Sequence, residues 1–515
     1  MLAPMRSISL ASLVLLGAAA ALAQAPGAGT QSSSRAAQLP LSGNSSQTGS
    51  VTTQQSPVSG DGAATIDSSV QVGGNFAGSV PAGNIPAGPI SLTLADAVKR
   101  GLEANLGPVA ANNAARAARA ERIQALSALL PNIAANASDT VTQVNLAAYG
   151  FQFNVPPNLN FSIPSVVGPY NYSSLQATVN QSVYDPVAHR NYQASKQSER
   201  ASLLGARDAR ELVVLAVGGS YLQTVSTAAR VVSQRAQVDN ARAIYNQAQV
   251  RKAAGTNARI DVTRSQVELQ TQEQRLSSYE ADLRKQTIAL ARLIGLPLDH
   301  ELILSEPLSF NASAVPEAST AIHSAFEHRA DLQSSQAQVQ AAQRVLSAAR
   351  AERLPSVSLN GSYGVIGPNP ASTHGVFAVT AAVNVPIWQG GRTRGDIEQA
   401  TAVLDQRQAE LTDQRGRIEQ DVRTALIELQ TASGQVRLAE NNRGLASETL
   451  TEARDRFGAG VATTVEVVQA QQQLAGAESD YISSLYSFNL SKLALARATG
   501  EAESNFAGAL KGSHP

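Results

Sequence analysis

The sequence predicts a mainly α-helical protein with a membrane β part. Long helical hairpins would form an α-barrel, and four β-strands per chain would contribute to a β-barrel. Three observations predict this fold. Two helical stretches rich in Ala, Gln, Arg and Leu each run for about 65 residues, or about 100 Å. Two short regions alternate apolar and polar residues, as strands with two different faces do. The second half of the chain repeats the first, which indicates an internal duplication.

Composition excludes several classes of function. The 40 Lys and Arg residues balance the 40 Asp and Glu residues, so nothing favours nucleic-acid binding. The absence of cysteine excludes disulfides, thiolate metal sites and cysteine nucleophiles. The six histidines form no ligand-spaced pair, and no phosphate-binding loop or nucleophile elbow appears. We therefore expect a protein that is not an enzyme, with no catalytic residue, metal or cofactor.

The N-terminal region is expected to be removed in part and disordered in part. Residues 1–23 read as a signal peptide, with a positive charge at Arg6, an apolar run and an Ala-Leu-Ala cleavage site at 21–23. Residues 24–90 are rich in Ser, Gly, Gln and Pro, which predicts disorder. No other stretch offers about 18 continuous apolar residues, so no transmembrane helix is expected. Membrane insertion would then require a β-barrel.

The first repeat is predicted to span residues 91–300. Helices end at Pro131, and strands follow from about Ile133 and over 175–184, with a long loop at 149–172 between them. A helix over 187–254 breaks at Gly255 and resumes to Leu293.

The second repeat is predicted to span residues 301–500, followed by a flexible tail at 501–515. Its elements come in the same order. They are a helix over 330–353, strands over 357–363 and 377–387, a helix over 391–456, a break at 458–460 and a helix to 498. Adding 205 to a position in the first half gives its counterpart, as for Arg251 and Arg456 or Gly255 and Gly460.

Four strands cannot close a barrel, because about eight strands form the smallest closed barrels. Three chains would supply 3 × 4 = 12 strands, an allowed even number. The only tryptophan, Trp388, and its counterpart Tyr184 lie at strand ends, where aromatic side chains meet the membrane interface. The helices carry a narrow apolar stripe with a seven-residue repeat, as in Leu404 and Leu411. The alternative is a non-conducting coiled-coil surface or scaffold protein, which needs no alternating strands.

Three local motifs, together with the repeat, resemble the TolC-like outer membrane efflux protein family over about Leu92 to Gly500. They are Val385-Pro386-Ile387-Trp388-Gln389-Gly390-Gly391, then His328-Arg329-Ala330-Asp331-Leu332, and Phe457-x-x-Gly460 followed by Val465-Glu466-Val467. The second motif is similar to the family's Arg-Pro-Asp-Leu, with Ala330 in place of proline.

The resemblance implies a homotrimer with a 12-stranded β-barrel in the outer membrane lipid and a helical tube across the periplasm. Members of the family are exit ducts of tripartite efflux pumps or type I secretion systems. They passively conduct small molecules or secreted polypeptides. The implied partners are a periplasmic adaptor (membrane fusion) protein and an inner-membrane transporter.

The resemblance also places the hairpin turns at Gly255 and Gly460 at the periplasmic tip. The candidates for the pore entrance and gate are Arg259, Asp261, Phe457, Glu466 and Gln469.

Three departures put the family's gate links in doubt. Ala462 stands where arginine is frequent, Phe457 replaces a tyrosine, and Gln469 replaces an acid. We hypothesise that Arg259 and Asp261 partly substitute for these links. The alternative is that Asp261 and Glu466 only stabilise the first turns of their helices through the helix dipole.

Overall fold

A computed structural model describes residues 34–41, 49–57, 66–81, 88–150, 164–255, 258–311 and 315–504. The predicted signal peptide lies outside the described residues. In chain order the elements are β1 (Val51–Pro57), β2 (Ile66–Val72), β3 (Ile90–Leu92), α1 (Leu94–Ala104), α2 (Leu106–Ser127), β4 (Asn132–Asn145), β5 (Val166–Tyr184), α3 (Pro186–Ala253), α4 (Arg259–Leu293), β6 (Leu302–Leu304), α5 (Ala318–His328), α6 (Ala330–Ala351), β7 (Ser356–Gly367), β8 (His374–Asn384), α7 (Arg392–Gly458) and α8 (Thr464–Thr499).

Four strands form one antiparallel sheet in the order β4-β5-β7-β8, so β4 and β8 are its two edges. The register aligns apolar residues on one face, with Tyr363 opposite Phe377 and Val357 opposite Val383. These side chains face solvent in the single chain, and Phe377 is 79% exposed. An apolar face this exposed requires a partner other than water.

The long loop predicted at 149–172 is wrong in its second part. Strand β5 begins at Val166, nine residues before the predicted start, and Tyr172 pairs with Thr140 and Tyr170 with Thr142. The Asn and Pro content of this stretch suggested a loop. Its Val and Tyr residues favour a strand once a partner strand is present.

Two helical hairpins extend from the sheet, as predicted. Helices α3 and α7 have 68 and 67 residues, or about 100 Å each, and pair with α4 and α8. The turn glycines Gly255 and Gly460 have φ of +76° and +79°. A Cβ added at either position would meet no atom within 4 Å apart from the adjacent chain, so glycine is favoured here by its backbone conformation and not by lack of space.

The largest apolar core lies along the middle of α3. Helices α1 and α8 and the hairpin β1–β2 pack around it. Tyr221 is buried there and donates a hydrogen bond to the carbonyl of Leu92 at 3.1 Å, and burial raises the pKa of Tyr221 to about 12. The sequence analysis expected no membrane-crossing helix. Helix α3 contains one stretch with a suitable length and composition, but 72% of that stretch is buried in this core.

The predicted disorder of residues 24–90 does not hold for the described part of that segment. Strands β1 and β2 pair in register, and Val70 packs against Gly219 of α3. The hydroxyl of Ser68 bonds that of Ser487 at 3.0 Å. The segment has too few apolar residues to fold alone, but it can order on an apolar surface that α3 and α8 already provide. Ala502, in the predicted flexible tail at 501–515, is fully buried, and residues 505–515 of that tail lie outside the described residues.

The motif around Arg329 forms a buried ionic cluster. Arg329 is 6% exposed and donates to Asp331 at 2.7 Å and to Asp421 at 2.9 Å. Burial alone would raise the pKa of Asp331. The hydrogen bonds and charge of Arg329 outweigh that effect and hold the pKa below its usual value. The cluster fixes the start of α6 against α7 without the proline that the family motif carries.

The apolar sheet face gives a direct prediction. Val379→Arg places a charge on this face, which costs about 2–4 kcal/mol at mid-bilayer. We expect the variant to be lost from the membrane fraction. Thr380→Arg is the matched control, because residue 380 points to the opposite, polar face and should be tolerated. Normal assembly of both Val379→Arg and Val383→Arg would contradict a lipid-facing position for this side of β8.

Candidate functional site

The two hairpin tips are joined by Arg251, which the sequence analysis did not single out. Its guanidinium lies 4.0 Å from the centroid of the Phe457 ring and donates to the Phe457 carbonyl at 3.0 Å. Phe457 is 5% exposed and packs with Ile244 of α3. A residue predicted at the pore entrance is therefore buried between the hairpins, where it holds them together.

The equivalent residues of the two halves make different contacts at the tips. The counterpart of Arg251 is Arg456, which lies 3.6 Å from Glu466 within its own hairpin. Arg251 instead crosses to the other hairpin. The offset of 205 identifies the two arginines as equivalent positions, but it could not indicate that one of them changes hairpin.

Glu466 closes a capping box at the start of α8. The Thr463 hydroxyl accepts from the Glu466 amide at 3.4 Å, and the Glu466 carboxylate accepts from the Thr463 amide at 3.3 Å. These two hydrogen bonds stabilise the first turn of α8, which is the role that the alternative interpretation gives to Glu466. Its side chain is still 41% exposed, so the carboxylate also contributes charge at the tip.

The hypothesis that Arg259 and Asp261 partly substitute for the family's gate links stays a prediction. Arg259 is exposed, and among the described residues neither side chain makes a hydrogen bond or an ion pair. Asp261 lies in the first turn of α4, where a negative charge favours the helix dipole. Whether Asp261, Glu466 and Gln469 line a pore entrance stays a prediction.

A buried layer of amides and carboxylates joins the hairpins above the tips. Gln472 donates to Glu268 at 3.0 Å, and Gln272 donates to the same carboxylate at 2.6 Å. Gln471 and Gln237 form a second link, in which Gln471 donates to the Gln237 carbonyl at 3.2 Å. Each side-chain carbonyl of this second pair is buried without a partner in the described structure. The hydrogen-bonding capacity of this layer is therefore only partly satisfied within the single chain.

A groove of 410 Å³ separates α4 from α8 beside the tips. Val267 and Val465 line it and are 58% and 38% exposed. Gln469 lies in the same groove, and Arg264 and Glu268 supply charges of both signs. Such a narrow apolar strip between two helices suits a third helix packed side by side.

At the other end of the hairpins, the predicted interface aromatics are exposed. Tyr184 is 51% exposed at the end of β5, and Trp388 is 86% exposed four residues after β8. Gly390 and Gly391 follow with φ of +59° and +87°, which turns the chain from the sheet into α7. No group of His, Cys, Asp and Glu able to hold a metal occurs in the part of the chain that the structure covers.

Sequence comparison matches the chain to a known family. The model of the family described as outer membrane efflux protein matches residues 104–296 and 321–501. Among curated relatives, the pyoverdine export outer membrane protein OpmQ of Pseudomonas aeruginosa is 24% identical over 294 residues, covering 56% of this chain and 61% of that protein. The toluene efflux pump outer membrane protein TtgF of Pseudomonas putida is 25% identical over 354 residues, covering 62% of this chain and 70% of that protein.

Solved structures with the same fold are outer membrane proteins. The CmeC outer membrane channel of Campylobacter jejuni has a TM-score of 0.70 at 18% identity, covering 81% of this chain and 89% of that chain. The outer membrane protein VceC of Vibrio cholerae has a TM-score of 0.69 at 20% identity, covering 79% of this chain and 96% of that chain.

The asymmetry between Arg251 and Arg456 gives a matched pair of variants. Arg251→Ala removes the contact with the Phe457 ring and a hydrogen bond to a charged donor, together about 2–4 kcal/mol. We expect the tips to separate, seen as longer distances between spin labels on cysteines placed at Ala254 and Ala459. The chain has no native cysteine to interfere. Arg456→Ala should leave these distances unchanged, and equal separation in both variants would contradict the assignment.

Proposed function

The chain belongs to the outer membrane efflux protein family, and on that premise we propose that it is the exit duct of a tripartite efflux pump or a type I secretion system. It passively conducts small molecules or secreted polypeptides across the periplasm and the outer membrane. It catalyses no reaction itself. The adaptor links this chain to the inner-membrane transporter, and the transporter supplies the energy.

One observation carries this proposal: the exposed apolar face of the β4-β5-β7-β8 sheet, whose outer edges on β4 and β8 have no partner strand among the described residues. Open edges in lipid leave backbone groups unpaired at several kcal/mol each, so the edges must pair with other chains. Three copies give 3 × 4 = 12 strands, an even number suited to a closed barrel. A scaffold protein would have no need of this apolar face.

The helices support the same assembly. Over most of α7, the buried residues form a narrow stripe that includes Ile418, Val422 and Val436. The other faces of α7 remain exposed, as expected for a helix that packs side by side in a ring. With three copies, the ring continues the barrel as a tube about 100 Å long.

The conducting function is tested in planar bilayers. The purified protein, added at low concentration, should produce stepwise conductance increases. The matched control is Val379→Arg, which should produce none, whereas Thr380→Arg should behave like the wild type. Wild-type protein that inserts, as judged by protection of the sheet from protease, but gives no steps would contradict a duct.

The groove between α4 and α8 is the proposed docking site of the adaptor. It lies at the end of the hairpins away from the sheet, so it faces the inner membrane in the proposed orientation. Val267 and Val465 present an apolar strip to one helix of a helical hairpin, and the exposed Arg264 can pair with a negative charge on the edge of that helix.

A photo-crosslinking amino acid at Val267 should capture the adaptor in intact cells. Mass spectrometry would identify a periplasmic protein with a helical hairpin. Leu438 is the matched control site, because it is 66% exposed on α7 but does not line the groove. Capture of the same protein with equal yield at both sites, or at Leu438 alone, would contradict the groove as the docking site.

A further inference from the structure

The segment Ser34–Leu41, here called the N-terminal strap, lies in a groove formed by α3, α6 and α7. It has no regular secondary structure, yet Ala36 is 9% exposed and Leu39 packs against the apolar cluster beneath it. The cluster includes Val187, Val345 and Ala400, one residue from each of the three helices. The strap therefore covers a surface that no other described element covers.

The strap runs alongside α7 in an extended conformation. Arg35 makes a two-point ion pair with Asp396, and the Pro40 carbonyl accepts from Arg407 at 2.8 Å. The five steps along the chain from Arg35 to Pro40 span about 17 Å when extended. The eleven steps along α7 from Asp396 to Arg407 also span about 17 Å. The N-terminal end of the strap therefore points towards the sheet.

The groove recognises the main chain of the strap. Asn191 of α3 makes two bonds to it: its side-chain oxygen accepts from the Ala37 amide at 3.0 Å, and its side-chain nitrogen donates to the Arg35 carbonyl at 2.7 Å. An amide side chain that bonds a donor and an acceptor in this way holds an extended peptide in one register. Arg407 is 5% exposed and also binds the main chain, since it donates to the Pro40 carbonyl.

Glu352 indicates that the groove is built for an occupant. It is 4% exposed, and its carboxylate accepts from the Ala36 amide at 2.8 Å. Its second oxygen has no hydrogen-bond partner, and the guanidinium of Arg392 is 3.9 Å away. The Ala36 amide is thus the one hydrogen bond that compensates this burial within the described structure. Without the strap, the carboxylate would lose that bond.

The contacts lie where the helices meet the sheet. Asp185 lies between β5 and α3, Glu352 lies between α6 and β7, and Asp396 lies in the second turn of α7 after β8. Ser34 donates to Asp185, whose carboxylate also caps α3 through the amides of Val187 and Ala188. One short segment therefore touches three of the four junctions between helices and sheet.

We propose that this groove is a peptide-binding site whose ligand is the strap of the same chain, and that docking of the strap locks the ends of α3, α6 and α7 onto the sheet. The site does not depend on the proposed duct function, because every contact lies within one chain. The groove recognises the strap through hydrogen bonds between the strap's main chain and Asn191, Glu352 and Arg407. The ion pair between Arg35 and Asp396 adds one charged contact.

The test separates the strap from its groove. In the full-length protein, residues 34–41 are replaced by eight Gly and Ser residues, which keeps the connection to β1. A labelled synthetic peptide with the sequence of residues 34–41 is then added, and binding is followed by fluorescence anisotropy. We expect saturable binding to the replaced protein and none to the wild type, whose groove is occupied. The replaced protein should also unfold several degrees lower and recover on addition of peptide.

Point variants show which contacts carry binding. In the replaced protein, Asn191→Ala should weaken peptide binding about tenfold, because two hydrogen bonds are lost. Gln193→Ala is the matched control on the same helix, since Gln193 bonds only His189 among the described contacts. A peptide with Arg35→Glu should bind severalfold more weakly, and Asp396→Arg in the groove should restore it.

The proposal fails if the replaced protein folds, takes up no peptide and unfolds like the wild type. If the replaced protein does not fold, full-length Arg35→Glu and the double variant Arg35→Glu/Asp396→Arg decide instead. A lower unfolding temperature in the first variant and recovery in the second supports the lock, and identical unfolding of both and the wild type overturns it. Absence of conductance in otherwise stable protein would count against the duct and not against the strap.

Discussion

The backbone hydrogen bonds of the sheet edges are the constraint on which the rest of the structure depends. Strands β4 and β8 each leave one row of amide and carbonyl groups without a partner strand in the described part of the chain. In water such edges invite aggregation, and in lipid they cost several kcal/mol per group. Because the outer face of the sheet is apolar, its exposure to water is unfavourable. Closure with further copies satisfies the edges, and the proposed trimer follows from that need.

Closure of the sheet places a demand on the helices, because each strand pair continues directly into a helix. Asp185 caps α3 one residue after β5, and the Gly390-Gly391 turn directs the chain from β8 into α7. The helices must therefore keep the spacing of the strands at this junction. Farther away they are joined by the polar layer around Glu268, by the apolar cluster around Phe457 and by Arg251 at the tips.

The periodic parts of the fold could be predicted from the sequence. The lengths of the helices, the alternating strands and the turn glycines follow from local pattern, and the structure confirms the fold class. The boundaries of the two repeats, which rest on the offset of 205, stay a prediction. The ordered part of residues 24–90 could not be predicted, because its few apolar residues are stabilised by a distant surface of α3 and not by the segment itself. The predicted start of strand β5 was too late for the same reason, since the first residues of this strand depend on pairing with β4.

The candidate site was harder to predict than the fold. Glu466 and Asp261 were identified by position, but the side-chain contacts of Glu466 belong to the start of its helix. Arg251 was missed as a site residue. Its contact with Phe457 depends on the angle at which the two hairpins pack, and that angle cannot be predicted from the sequence of one hairpin. The strap was missed for a similar reason. Its recognition by Asn191 and Glu352 uses main-chain groups, which leave no pattern of side chains to detect.

The central claim is that the open sheet closes between three chains and continues as one tube. Single-particle electron microscopy of the protein extracted in mild detergent tests it most directly. The account predicts a particle with three-fold symmetry, a barrel of 12 strands at one end and a hollow helical tube about 100 Å long. A solid rod without a lumen, or a particle whose sheet edges remain open, would contradict it.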